Sequence, residues 1–354
     1  MKLFTVGPVA CRQEILDEMS TQMFSHRSER YRKLQRDTIS RLKDFMGTDG
    51  EVLLFPSSGS GVMESSVRNC VDDEMLVTVN GAFGERFAEV GRACGADVKT
   101  LKTEKGVATK PDMLDEKLSS NPEVEAVSIT YNDTSVGLLN PLPELAEVVK
   151  DHGKLLLVDA VTAVGGAKLK ADEWNLDVSF ASSQKCLGIP PGLAFANVSE
   201  DALEKSKKMD EKGWYFDLAK YKDYNDRKSG TPSTPPIPQV LALNKRLELI
   251  EEKGKEEHFE MYQERNKRIR EGVKDLGLSL FPEEGYRSPT VTCVNAPEHK
   301  TGFEIYKEMQ DKGFELAKGY GDLQDETFRI GNMGNVPFEN IDEMLDELEE
   351  VVEK

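Results

Sequence analysis

Between residue 50 and about residue 200 the chain alternates short apolar runs with amphipathic stretches. The runs 52–55, 75–79, 124–130, 154–158, 178–181 and 193–198 have strand length, and 86–94 and 144–151 carry the three-to-four-residue spacing of helices. Gly, Asn, Asp and Pro mark the junctions. This rhythm predicts an α/β fold: a mostly parallel central sheet with helices on both faces. After the short proline-rich stretch 231–238 the texture changes to charged helices, 240–252 and 256–276, and then to strands near 290–294 and 328–330. A last helix is expected to place Ile341, Leu345, Leu348 and Val352 on one stripe, with carboxylates on the opposite face. The organisation expected is an N-terminal arm at 1–15, a large domain at 16–254 and a smaller α+β domain at 255–354.

Composition narrows the class. The 354 residues are 38% hydrophobic and 31% charged, ordinary for a globular protein with a sizeable core. Acidic residues outnumber basic ones 64 to 46, a formal net charge of -18, which argues against a nucleic-acid partner. No apolar stretch is long enough to span a bilayer and the amino terminus carries no signal-peptide pattern, so no membrane partner and a cytoplasmic location are expected. Cys11, Cys70, Cys94, Cys186 and Cys293 are scattered, without CxxC spacing. They read as reduced, packed thiols, and no metal site is expected.

The candidate chemistry begins at Lys154-Leu-Leu-Leu-Val-Asp159, a buried-strand pattern that ends in a carboxylate. In a parallel sheet the carboxyl ends of strands face the ligand crevice. A bare carboxylate there is costly without a cationic partner, and a protonated pyridine nitrogen would supply one. The next strand runs into Gln184-Lys185-Cys186, so a lysine enters the same crevice. Its amine can form a Schiff base with an aldehyde, while a carboxylate on the ring nitrogen keeps the ring able to absorb carbanion charge. The third element, Pro56-Ser-Ser-Gly-Ser-Gly-Val62, joins a strand to a helix, where backbone amides can seat a phosphate. Alone, such a turn is weak evidence; its position before Asp159 and Lys185 raises its value.

These residues belong to a longer series of blocks. Val6-Gly7-Pro8, Ser58-Gly-Ser-Gly61, Asn80-Gly-Ala-Phe-Gly-Glu-Arg86, Thr134-Ser-Val-Gly137, Val158-Asp159, Ser183-Gln-Lys185, Pro190-Pro-Gly192, Pro289-Thr-Val-Thr292 and Phe328-Arg-Ile-Gly331 occur in that order nearly end to end. In them the chain resembles the class V, fold-type I aminotransferases, specifically the alanine-glyoxylate, serine-glyoxylate and serine-pyruvate group. The resemblance implies pyridoxal 5′-phosphate as cofactor, with Lys185 and Asp159 catalytic. It implies a phosphate turn at Ser60, Gly61 and Val62, an aromatic ring, Phe83, against the pyridine face, Thr134 on the phenolic oxygen and Gln184 as another contact. It further implies a homodimer with shared sites, in which Thr231 and Thr234 reach the neighbouring subunit's phosphate, and Arg329 as the grip on the substrate carboxylate. The donor implied is a small amino acid of the alanine or serine type and the acceptor a 2-oxo acid such as pyruvate or glyoxylate.

Other readings stand beside this one. A class V lyase such as a cysteine desulfurase shares the lysine and aspartate, but has His before the lysine and a Cys on a mobile loop, where this chain has Gln184 and a strand-like Cys293. The family also holds aminotransferases for aminoethylphosphonate, phosphoserine and aspartate, and Val136 stands where many members have Thr. A Rossmann-like nucleotide-binding protein would use Ser58–Gly61 as a plain phosphate loop. His26-Arg27-Ser28 reads as the start of an amphipathic helix and Cys186 as packing.

Overall fold

The computed structural model describes residues 1–353. Apolar runs dominate its central sheet because both of its faces are covered, so successive residues of one strand enter different cores. Leu54, Leu156 and Val158 pack into one core, while Leu53, Phe55 and Leu157 pack into the core on the other side. Each such fully buried side chain contributes about 1.5–3 kcal/mol through removal from water.

Seven strands form the sheet: β1 (Glu51–Phe55), β2 (Glu74–Val79), β3 (Asp97–Lys102), β4 (Ala126–Thr130), β5 (Leu155–Asp159), β6 (Val178–Ser182) and β7 (Ala194–Val198), in the spatial order β1-β7-β6-β5-β4-β2-β3. β2 through β6 pair in parallel, and β7 runs antiparallel to both β6 and β1. The sheet is therefore mostly parallel, as expected, with the run 193–198 supplying the reversed strand. The edge strand β3 goes unannounced by the hydrophobic pattern because three of its six residues, Asp97, Lys99 and Lys102, are charged and none is fully buried.

Three helices are interleaved with the first strands, and the second and third of them line the site. α1 (Glu29–Met46) starts at Ser28, whose hydroxyl accepts the Tyr31 N–H at 3.3 Å, and stops at Gly47 in a left-handed conformation. α2 (Gly59–Cys70) follows β1, and α3 (Ala82–Ala93) follows β2. The long helices α4 (Ile237–Lys253) and α5 (Lys255–Asp275) then lead to an antiparallel sheet of β8 (Val291–Asn295), β10 (Thr327–Gly331) and β9 (Ala317–Lys318), in that spatial order. The last helix, α6 (Phe338–Val352), packs on α5 and on this sheet in a third core with Ile269, Val273, Phe328 and Ile330. Its buried stripe is Ile341, Met344, Leu348, Val351 and Val352; the expected Leu345 is only partly buried, lying against Gly272.

The amino-terminal segment ties this third core to the large sheet. Phe4 donates its N–H to Glu315 and accepts from Gly331, its ring enters the third core, and the chain continues toward the carboxyl end of β6. Among the described residues no helix is long and apolar enough to cross a membrane.

Candidate active site

Strand direction collects the chemistry at one end of the sheet. Past the carboxyl ends of β1, β4, β5 and β6 lies a cavity of about 300 Å³, lined among others by Ser58, Ser60, Asn132, Thr134, Asp159, Ser182, Gln184 and Lys185. Phe83 and Arg86, from the first turns of α3, close one side, and Gly7 and Pro8 another.

Asp159 is the last residue of β5, and one of its oxygens accepts the Val161 N–H at 2.9 Å. The other oxygen has no hydrogen-bond or ion-pair partner among the described residues. Burial pushes its carboxyl up to about 6; the neighbouring Asp133 adds to the rise, while Val161, Lys185 and Arg86 oppose it. Lys185 lies beyond β6, and its Nζ donates to the Val6 carbonyl at 2.6 Å. Burial holds this amine down at about 8, helped by the charges of Arg329 and Arg86 and opposed chiefly by Cys186 and Asp159. Gly7 is required here: a Cβ on it would come within 2.6 Å of the Lys185 side chain, and its φ of 109° is itself unfavourable for other residues. The cavity thus holds a buried carboxylate with no ion-pair partner among the described residues and a partly neutral amine, and the two do not pair with each other. It also contains two buried polar atoms without partners, Ser182 Oγ and Asn132 Oδ1. Such groups carry a desolvation cost unless a ligand satisfies them.

At the start of α2 the N-cap Ser58 makes no side-chain cap, which leaves the first amides of the helix without that partner. Ser60 lines the cavity, but Gly61 and Val62 do not: the Gly61 N–H donates to Ser58 and the Val62 side chain is buried in the core. Gly59 and Met63 line it instead. Phe83 lies with its ring centroid 5.9 Å from Lys185 Nζ and 4.8 Å from the Arg86 guanidinium. Its N–H donates to Asp133 at 3.1 Å, and the Ala82 N–H donates to Ser135 at 2.8 Å, so the segment after β4 caps α3 and sets the ring's position. Asp133 is fully buried; that burial pushes its carboxyl up, against the pull of the Ser135 hydroxyl and nearby backbone N–H groups.

Thr134 shares a hydrogen bond with the Thr162 hydroxyl, and its carbonyl accepts from Arg329 Nη1 at 2.9 Å. Arg329 also donates from Nε and Nη2 to the Lys318 carbonyl at 3.1 and 2.8 Å. Each terminal nitrogen therefore keeps one N–H for another acceptor. Gln184 is half-buried on the cavity wall. Arg329, held by its bonds to Thr134 and Lys318, does not itself line the cavity. Thr231 and Thr234 do not line it either: the Thr231 hydroxyl donates to Ser233 at 2.6 Å in a separate basic pocket with His26, Arg27, Arg32 and Lys228, and Thr234 is exposed. Asp133, Arg86 and the Val6 carbonyl were not among the candidates read from the sequence. Each lies in or beside one of the quoted blocks, the only signal available for them.

A family model described as aminotransferase class-V matches residues 11–320. The chain is 37% identical over 336 residues to an uncharacterized aminotransferase of Methanocaldococcus jannaschii, covering 94% of this chain and 87% of that one. It is 30% identical over 349 residues to the serine–glyoxylate aminotransferase of Methylorubrum extorquens, covering 94% and 86%. The crystal structure of an alanine–glyoxylate aminotransferase from Nostoc sp. superposes with a TM-score of 0.94 at 29% identity, covering 99% of this chain and 94% of that one.

Proposed function

The chain belongs to the class-V aminotransferases, and from that premise we propose that it holds pyridoxal 5′-phosphate at Lys185 and moves an amino group from a small amino acid to a 2-oxo acid. The donor in this reading is of the alanine or serine type and the acceptor is pyruvate or glyoxylate. The observation that carries it is the buried Asp159 carboxylate, without an ion-pair partner among the described residues, lining the same cavity as the Lys185 amine. That pair fits a ring bearing a cationic nitrogen at one end and an aldehyde at the other.

When bound, the cofactor supplies an aldehyde that captures amines and a cationic ring that takes up the electron pair left when an α-proton departs. The chain's own residues do the rest. Lys185 Nζ, with its pKa near 8, has a substantial neutral fraction at physiological pH. It can anchor the aldehyde and, once displaced by substrate, take the proton from the substrate α-carbon as general base and return it as general acid. Asp159 keeps a negative charge where the ring nitrogen needs one, while the first turn of α2, with Ser60, holds the phosphate. Phe83 covers one ring face, with Thr134 and Gln184 as further contacts, and the two free N–H groups of Arg329 orient the substrate carboxylate. We assign Thr231 and Thr234 to the partner's site in a homodimer, because in their own chain they lie apart from the cavity.

The lyase reading is disfavoured by the cysteines. Cys186 and Cys293 are buried, and burial pushes both thiols up to about 12, so neither offers a thiolate at neutral pH.

The test is a panel of donors read by loss of the bound cofactor's visible band. Alanine or serine should convert the band, and pyruvate or glyoxylate should restore it. Conversion only by aspartate, phosphoserine or aminoethylphosphonate would overturn the small-donor assignment, and conversion by none would overturn transamination.

A further inference from the structure

The cavity just described and an outer one of about 470 Å³ share one lining side chain, that of Arg86. The helix that carries it is locked in place. A Cβ on Gly84 would come within 2.6 Å of the Thr78 carbonyl of β2, and one on Gly81 within 2.5 Å of the Asp133 carboxyl, so α3 starts hard against the sheet. Phe83 and Arg86 lie three residues apart on that helix and are therefore neighbours on one face, which sets the guanidinium 4.8 Å from the Phe83 ring centroid.

The charge on Arg86 is not neutralised within the chain. In the outer cavity Lys102 pairs with Glu85 at 2.7 Å and Lys105 with Asp322, so the other two cations there have carboxylate partners. Among the described residues Arg86 has no such partner: Nη2 donates to the Tyr320 hydroxyl at 2.9 Å, and its other N–H groups have no acceptor. Only Lys185 and Arg86 are cationic among the residues lining the inner cavity, and the Lys185 amine donates to the Val6 carbonyl. Burial dominates the shifts at Asp159 and Lys185, and behind it the charge of Arg86 acts on both groups, so the guanidinium is within electrostatic reach of the reacting end of the cavity.

We propose that Arg86 is a second contact for the substrate carboxylate, receiving it where the two cavities meet. This rests on the reading that the inner cavity holds the cofactor and reacts with amino acids. Arg329 lines neither cavity and spends donors on the Thr134 and Lys318 carbonyls, whereas Arg86 lines both and donates only to a neutral phenol. A planar guanidinium with spare donors on the cavity wall matches the two oxygens of a carboxylate. Tyr320 brings the two arginines into one neighbourhood, since the Arg329 guanidinium lies 5.7 Å from the centroid of the ring whose hydroxyl holds Arg86.

The experiment titrates the cofactor-loaded protein with acetate and with pyruvate, followed by the visible band, in wild type, Arg86→Gln and Arg86→Lys. Arg86→Gln, which stays polar but loses the charge, should raise both dissociation constants about tenfold, the scale of one charge-assisted hydrogen bond. Arg86→Lys restores the charge without the fork and should recover part of that loss. In the half-reaction with alanine, KM should rise by a similar factor while kcat changes less. Were Arg86 only a prop for the Phe83 ring, Arg86→Gln would weaken cofactor binding and leave the carboxylate affinity of the loaded protein unchanged; that result overturns the proposal, as does a Lys variant no better than Gln. Unchanged affinity in a variant whose band alanine still converts would leave the transaminase reading standing. Weakened affinity in a protein whose band no donor converts would keep the contact and sink that reading.

Discussion

Asp159 is the residue at which function and stability oppose each other. A buried carboxyl held near 6, against an ordinary 3.8, costs on the order of 3 kcal/mol of folding stability once it is ionised. The sign follows from proton binding: between about pH 4 and pH 6 the folded chain binds more protons than the unfolded one, so stability falls as pH rises through that window, and the full cost persists above it. In the cofactor-free protein, Asp159→Asn should therefore raise the melting temperature at pH 8 and give little gain at pH 4, while weakening cofactor binding. Thermal unfolding at the two pH values checks this, and an equal effect at both would count against a buried unpaired charge. Asp159 and Lys185 were legible in the sequence because each follows a strand-length apolar run, and strand ends in a parallel sheet share a crevice. Arg86 and Asp133 were not, since their roles depend on contacts to Tyr320 and Phe83 far away along the chain.

At the scale of elements, the site depends on how two helices begin. α2 begins at Ser58 without a side-chain cap, with Ser58, Gly59 and Ser60 lining the cavity, and α3 is capped by side chains from the segment after β4. Asp133→Ala would strand the Phe83 N–H and remove an acceptor from Ser135, which should cost about 1–3 kcal/mol in denaturant unfolding. Asp133→Asn, which keeps an acceptor oxygen, should lose less and should retain more affinity for the cofactor. Equal losses would mean that the carboxylate's charge, rather than its capping bond, matters at this position. The central strands were readable because burial on both faces makes them continuously apolar, whereas β3 at the sheet edge carries Asp97, Lys99 and Lys102 and gives no such signal. The terminal helix was readable together with most of its buried stripe, Ile341, Leu348 and Val352; Leu345 is only partly buried, lying against Gly272 on α5, and Met344 and Val351 complete the stripe.

Across the whole molecule, the cavity lies between cores that no short window of sequence brings together. Arg329, on the small sheet, reaches the Thr134 carbonyl in the segment after β4, and the Val6 carbonyl at the amino terminus accepts from Lys185. Shared sites in a homodimer have a consequence that a self-contained site lacks. Lys185→Ala and the double variant Thr231→Ala, Thr234→Ala should each lose most activity alone, yet regain a fraction of it when dissociated and reassociated together. The mixed dimer then holds one site with an intact lysine and intact threonines. No recovery in demonstrably mixed dimers would confine the threonines to their own chain.

In the proposed reaction one amine, that of Lys185, carries the cofactor. Borohydride reduction of the protein loaded with pyridoxal 5′-phosphate, followed by proteolysis and mass spectrometry, addresses it most directly. Discharge of the visible band is expected, with a phosphopyridoxyl group on the peptide containing Lys185 that is absent from Lys185→Ala. A label on a different lysine, or none on the wild-type chain, would contradict it.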